Sequence, residues 1–114
     1  MITVIETAPF IAKAKRVFSE QEKTNTIDMI SADPMVGDII VGSGGVRKVR
    51  VALSGRGKSG GARVVYYFRN TDMPVYMLAV FTKNEKTNLS KAELKQLKLF
   101  VETTVKNWKE SHPK

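Results

Sequence analysis

Apolar and polar positions change their period several times along the chain. Ile2, Val4 and their neighbours form a short apolar run that predicts a first strand. Pro9 suits the opening turn of a helix capped at Thr7 or Ala8 and covering roughly residues 10–18. Ser19 followed three residues later by Glu22 is a capping-box pattern, which predicts a second helix with Ile27, Met29 and Ile30 turned inward and Pro34 at its end. Residues 37–45 read as a glycine-containing loop. Beyond it Val49, Val51 and Leu53 alternate with Lys48, Arg50 and Ala52, the period of a half-buried strand, so Lys48 and Arg50 project from one face. Residues 62–69 carry Val64, Val65, Tyr66, Tyr67 and Phe68, which suit a pleated sheet, and the loop of residues 54–61 joins these two strands. After a turn over residues 70–74, residues 75–82 are apolar on both faces, as a central strand is. Ser90 with Glu93 is a second capping box, and Leu94, Leu97, Val101, Val105 and Trp108 then recur at helical spacing.

The order strand, two helices in a hairpin, three strands in an antiparallel meander, helix predicts an α+β fold with the C-terminal helix packed on the sheet. No internal repeat, low-complexity tract or Pro/Ser-rich linker divides the chain, so residues 1–114 are expected to form one domain, large enough to fold without disulfide staples. The opening segment does not read as a secretory signal, and the apolar run of residues 75–81 is far too short to span a bilayer, so no membrane partner is expected.

Charge sharpens this picture. The formal net charge is +8, and all eight glycines lie between Gly37 and Gly61. From Ile39 to Thr71 there is no acidic residue, whereas Arg47, Lys48, Arg50, Arg56, Lys58, Arg63 and Arg69 all fall in that stretch. Unopposed cations beside glycine-rich backbone suit a polyanion, because backbone N–H groups approach phosphate closely where no side chain intervenes. RNA or DNA is therefore the first partner to consider.

Several chemistries are excluded by residue type. With no cysteine there is no disulfide, thiolate nucleophile or cysteine-rich zinc site, which fits a reducing cytoplasm. The single histidine, His112, lies in the terminal tail and cannot assemble a histidine-rich metal site or a Ser-His-Asp triad, so neither metal nor other cofactor is expected. Gly57-Lys58-Ser59 is not a P-loop, since Ala52 stands where the motif needs its first glycine and a strand follows where it needs a helix.

What remains is a cation group of Lys48, Arg50, Arg63 and Lys83, with Arg56 and Lys58 on the loop between strands. The alternative is a solvated basic face. Against it, Arg63 lies inside an otherwise apolar strand, where a charge costs stability unless something uses it. Tyr66 and Tyr67 alternate in direction, so at most one of them, taken as Tyr67, is expected to stack a nucleobase while the other packs in the core, the alternative being core packing for both.

Three segments carry a family resemblance: Gly42-Ser-Gly-Gly-Val-Arg-Lys-Val-Arg50, Gly55-Arg-Gly-Lys-Ser-Gly-Gly-Ala-Arg-Val-Val-Tyr-Tyr-Phe68 and Val80-Phe-Thr-Lys-Asn-Glu-Lys86. Together they resemble the RelE/ParE toxin superfamily and, within it, the HigB-like group. The resemblance implies a RelE-like fold and a toxin of a type II toxin–antitoxin pair that cuts messenger RNA in the ribosomal decoding site. It also implies a HigA-like helix-turn-helix antitoxin, with which the toxin binds operator DNA. By the same resemblance Lys48, Arg50, Arg63 and Lys83 fall at catalytic positions. The remaining residues of the basic stretch and its surroundings, Arg47, Arg56, Lys58, Tyr67, Asn84 and Lys86, are expected to contact RNA or the ribosome on the ground of charge and position. RelE has a catalytic tyrosine soon after the last strand, whereas this chain has Thr87-Asn88-Leu89-Ser90 there. Other superfamily members lack the nuclease site and poison DNA gyrase. A non-enzymatic nucleic-acid-binding module is a third reading of the same cations.

Without metal or histidine, RNA can be cut by attack of a 2′-hydroxyl on the adjacent phosphate. One proton is removed, another is supplied, and the extra charge on phosphorus is stabilised. A lysine accepts the first proton only from its neutral form, which neighbouring cations favour. Lys48 is thus the expected base, Arg63 the phosphate clamp, and Lys83 or Lys86 the proton donor to the leaving group.

Overall fold

A computed structural model describes residues 1–53 and 61–113. Its elements are β1 (Val4–Glu6), α1 (Ala8–Val17), α2 (Glu20–Ala32), β2 (Asp38–Ile39), β3 (Val46–Val51), β4 (Ala62–Tyr67), β5 (Val75–Thr82) and α3 (Lys91–Ser111). The strands form one sheet in the order β1-β5-β4-β3-β2. β3, β4 and β5 are the expected antiparallel meander, and β1 joins β5 in parallel. The α+β class holds, as does the expected run of strand, helical hairpin, antiparallel meander and C-terminal helix.

The helices start where their caps dictate. Thr7 precedes α1, with Pro9 in its first turn. Its hydroxyl donates to the Met77 carbonyl at 2.7 Å and so ties the start of α1 to β5. In α2 the Ser19 hydroxyl accepts from Glu22 N–H at 3.1 Å while the Glu22 carboxylate accepts from Ser19 N–H at 2.8 Å. Ser90 and Glu93 make the same reciprocal pair at the start of α3, at 3.1 and 2.8 Å. Each box satisfies two N–H groups that a helix start leaves without partners.

Two apolar layers clasp the sheet. On one face α1 and α2 bring Phe10, Ala14, Val17 and Ile30 against Ala62, Val64, Tyr66, Met77 and Val80. On the other, Val46, Val65, Tyr67, Leu78 and Phe81 lie under α3, which contributes Leu97, Val101, Val105 and Trp108. Strand alternation then assigns each side chain of β3 and β4 to a face, whereas β5 carries an irregularity opposite Val65 and Tyr66 that puts Leu78 and Ala79 on the same side.

One expectation is corrected. The stretch read as a loop over residues 37–45 contains β2, which pairs antiparallel with β3 through Asp38 opposite Lys48 and Ile39 opposite Arg47. Ser43 closes the hairpin, its hydroxyl donating to Ile40 O at 2.6 Å and accepting from Val46 N–H at 3.0 Å. β2 is two residues long and exposed at both. It therefore has no alternation to read. β3 also begins two residues earlier than expected and stops before Leu53, and β4 ends at Tyr67.

Candidate active site

Val46 belongs to the core under α3, while Val49 and Val51 pack on the α1/α2 side. Lys48 and Arg50 therefore share the α3 face of β3. In β4, Ala62, Val64 and Tyr66 belong to the α1/α2 core and Val65 and Tyr67 to the α3 core, which puts Arg63 on the α3 face as well. Register brings the three together. Arg50 is directly opposite Arg63, which is opposite Phe81, and one row further along Lys48 is opposite Val65 and then Ala79. Directly opposed residues of an antiparallel pair hold their Cβ atoms about 5 Å apart, where like charges repel.

Gly61 sets the approach to β4. Its φ is +60°, and a Cβ there would lie 2.2 Å from the Val51 carbonyl oxygen, so only glycine fits this close pass of β3 and the start of β4. Arg63 follows two residues later. On the neighbouring strand Thr82 pairs with Ala62, so Lys83, exposed, lies one residue beyond the sheet at the same end.

The segment between β5 and α3 is fastened by side chains. The Glu85 carboxylate accepts from Thr82 N–H at 2.9 Å and from the Thr82 hydroxyl at 3.1 Å, and pairs with Lys13 of α1. The Lys13 hydrogen bond, followed by the Thr82 N–H, pulls the Glu85 carboxyl from 4.5 down to about 2. Lys86 pairs with Glu93 and lies 5.2 Å from the centre of the Phe81 ring. The Lys86 hydrogen bond, with the Ser90 N–H, lowers the Glu93 carboxyl too. Asn88 Oδ1 accepts a hydrogen bond from Lys48 Nζ at 3.2 Å.

Two expected RNA contacts sit elsewhere. Arg47 is on the opposite face from Lys48 and Arg50, and its guanidinium donates to the Gly37 carbonyl at 2.7 Å and to Met35 O at 3.4 Å. It fastens the α2–β2 connection. Its Nε is buried and has no hydrogen-bond partner among the described residues. Tyr67 is 8% exposed beneath α3, so its ring is core and offers no stacking platform. Tyr66 is fully buried on the other side, donating from its hydroxyl to Pro34 O at 2.7 Å and accepting from Gly37 N–H at 2.8 Å. Burial pushes the Tyr66 phenol up. Asn84 is exposed beside Lys83. Arg56, Lys58 and the rest of residues 54–60 lie outside the described residues.

Lys13, Glu85 and Asn88 join the site without having been expected there from the sequence. Glu85 could have been suspected from its place two residues after Lys83. Nothing local in the sequence points from Asn88 to Lys48, which is 40 residues away.

A family model described as the RelE toxin of the RelE / RelB toxin–antitoxin system matches residues 4–112. The chain belongs to the RelE toxin family. Among solved structures, a double arginine-to-alanine mutant of the E. coli toxin RelE in the free state is similar with a TM-score of 0.56 at 12% identity, over 75% of this chain and 86% of that one. That likeness is one of fold. Among the described residues of this RelE-family chain, no helix is long and apolar enough to cross a membrane.

Proposed function

We propose that this RelE-family toxin is a ribosome-dependent mRNA endonuclease of the HigB-like group, neutralised by a HigA-like helix-turn-helix antitoxin with which it binds operator DNA. The observation that carries the reading is the row of Arg50 opposite Arg63, with Lys48 one row away on the same face. Two directly opposed guanidinium-bearing residues repel one another, and a phosphate bound between them attracts both.

In the proposed step the 2′-hydroxyl of one nucleotide attacks the adjacent phosphorus as Lys48 removes its proton. The 5′-oxygen of the next nucleotide leaves with a proton from Lys83. The products are a 2′,3′-cyclic phosphate and a free 5′-hydroxyl, with Arg63 and Arg50 compensating the extra charge on the phosphoryl oxygens. Lys83 suits the donor role better than Lys86, whose ammonium is engaged by Glu93 and set over Phe81. Asn84 adjoins the path of the RNA.

Mapping 5′ ends of a defined mRNA in a purified translation system, with and without ribosomes, tests this. Cuts that appear only with ribosomes and leave cyclic-phosphate ends are expected. Intact mRNA together with inhibited DNA supercoiling by gyrase would move the chain to the gyrase-poisoning branch. Ribosome binding without cuts would leave a nucleic-acid-binding module.

A further inference from the structure

Within the cation row, Lys48 Nζ donates a hydrogen bond to a neutral side-chain acceptor, Asn88 Oδ1, at 3.2 Å. Both residues are surface-accessible, yet the Asn88 side of the contact is anchored. Leu89, next in the chain, packs into the core under α3, and Ser90 caps that helix. Upstream, Glu85 binds Thr82 and Lys13, and Lys86 binds Glu93. The amide is thus presented to β3 from a segment fixed on both sides.

We propose that Asn88 is the positioning residue for Lys48, holding its amine against the row formed by Arg50 and Arg63. The inference rests on the reading of Lys48 as the base in mRNA cleavage. A lysine side chain has four rotatable bonds, and a base must lie within hydrogen-bond reach of the proton it takes, so restricting the amine contributes directly to rate. The acceptor type matters as well. An amide oxygen restrains an amine without demanding that it be charged, whereas a carboxylate in its place favours the ammonium form. Charges of both signs surround Lys48. Arg50 and Arg63 share its face, Lys83 lies beyond the Arg63 end of the sheet, Asp38 with its carboxylate is directly opposite in register on β2, and the carboxylates of Glu85 and Glu93 are engaged by Lys13 and Lys86. The Asn88 amide adds no further charge to this set.

The test is a double-mutant cycle read by single-turnover mRNA cleavage on programmed ribosomes, with ribosome affinity measured alongside. Asn88→Ala is expected to slow cleavage roughly 10- to 100-fold at unchanged affinity, and to cost nothing further in a Lys48→Ala background. Asn88→Asp keeps an acceptor but is expected to be slow at neutral pH and to recover as pH rises, which Asn88→Ala does not. Equal losses from Asn88→Ala in both backgrounds would overturn the inference. A second measurement needs no activity: the Lys48 Cε and Nζ resonances of the free protein are expected to move in Asn88→Ala, and unmoved resonances would overturn it too. If the resonances move but the wild-type chain cuts nothing on ribosomes, the proposed function fails and the catalytic role of Asn88 with it, while the contact stands.

Discussion

Tyr66 and Tyr67 are adjacent in the chain and face opposite cores, and neither is offered to a nucleobase. Tyr66 instead closes a polar knot at the α2–β2 connection, where its hydroxyl, the Gly37 N–H and carbonyl, Pro34 O and the Arg47 guanidinium interlock. A Cβ on Gly37 would come within 2.8 Å of that hydroxyl. Removing the hydroxyl leaves a buried N–H without its partner, so Tyr66→Phe is expected to destabilise by about 1–3 kcal/mol in urea unfolding. Arg47→Met is expected to lower stability as well while cleavage per folded molecule stays at the wild-type rate. A selective loss of cleavage in Arg47→Met would return this residue to the RNA-binding surface. Arg47 is expected among the RNA contacts from its charge and its place beside Lys48, and neither property distinguishes faces. Alternation does, and it assigns Arg47 to the far side.

At the scale of elements, the segment between β5 and α3 behaves as a strap whose fastening depends on pH. Glu85 titrates at about 2 when folded, against 4.5 for the free side chain. A depressed carboxyl contributes stability above about pH 4.5, and that contribution disappears as pH falls toward 2. Glu85→Gln is expected to flatten the loss of melting temperature between pH 5 and pH 3, most visibly at low salt, since the carboxylate is partly exposed. Identical pH dependence of the two proteins would show that the strap adds nothing to stability. The helices and the long strands were legible beforehand because each carries a local signal: two capping boxes, Pro9 in a first turn, apolar runs with a clear period. β2 was not legible. Its two exposed residues are made a strand by the Ser43-closed hairpin and by pairing with β3, both of which depend on the fold.

For the whole molecule, a net charge of +8, with seven cations and no acidic residue in residues 39–71, predicts salt-sensitive association with the ribosome. Replacing Arg50 and Lys83 together by alanine is expected to reduce the slope of log affinity against log salt by roughly one to two units. An unchanged slope would move the phosphate contacts elsewhere on the basic surface. How the candidate site assembles was only partly visible in the chain. The shared face of Lys48 and Arg50 follows from period two, and Arg63 stood out as a charge in an apolar strand. The direct opposition of Arg50 and Arg63 depends on register, and the Asn88 contact on how the chain returns from β5 to α3.

Phosphate chemistry by the β3–β4 cation row is tested most directly by single-turnover cleavage of mRNA on programmed ribosomes with Arg63→Ala, Arg63→Lys and wild type, each checked for melting temperature and antitoxin binding. Arg63→Ala is expected to lose about 10²–10³ in rate, and Arg63→Lys to recover only part of it, because an ammonium lacks the two-pronged geometry of guanidinium. Folded Arg63→Ala protein that cleaves at the wild-type rate would contradict the account.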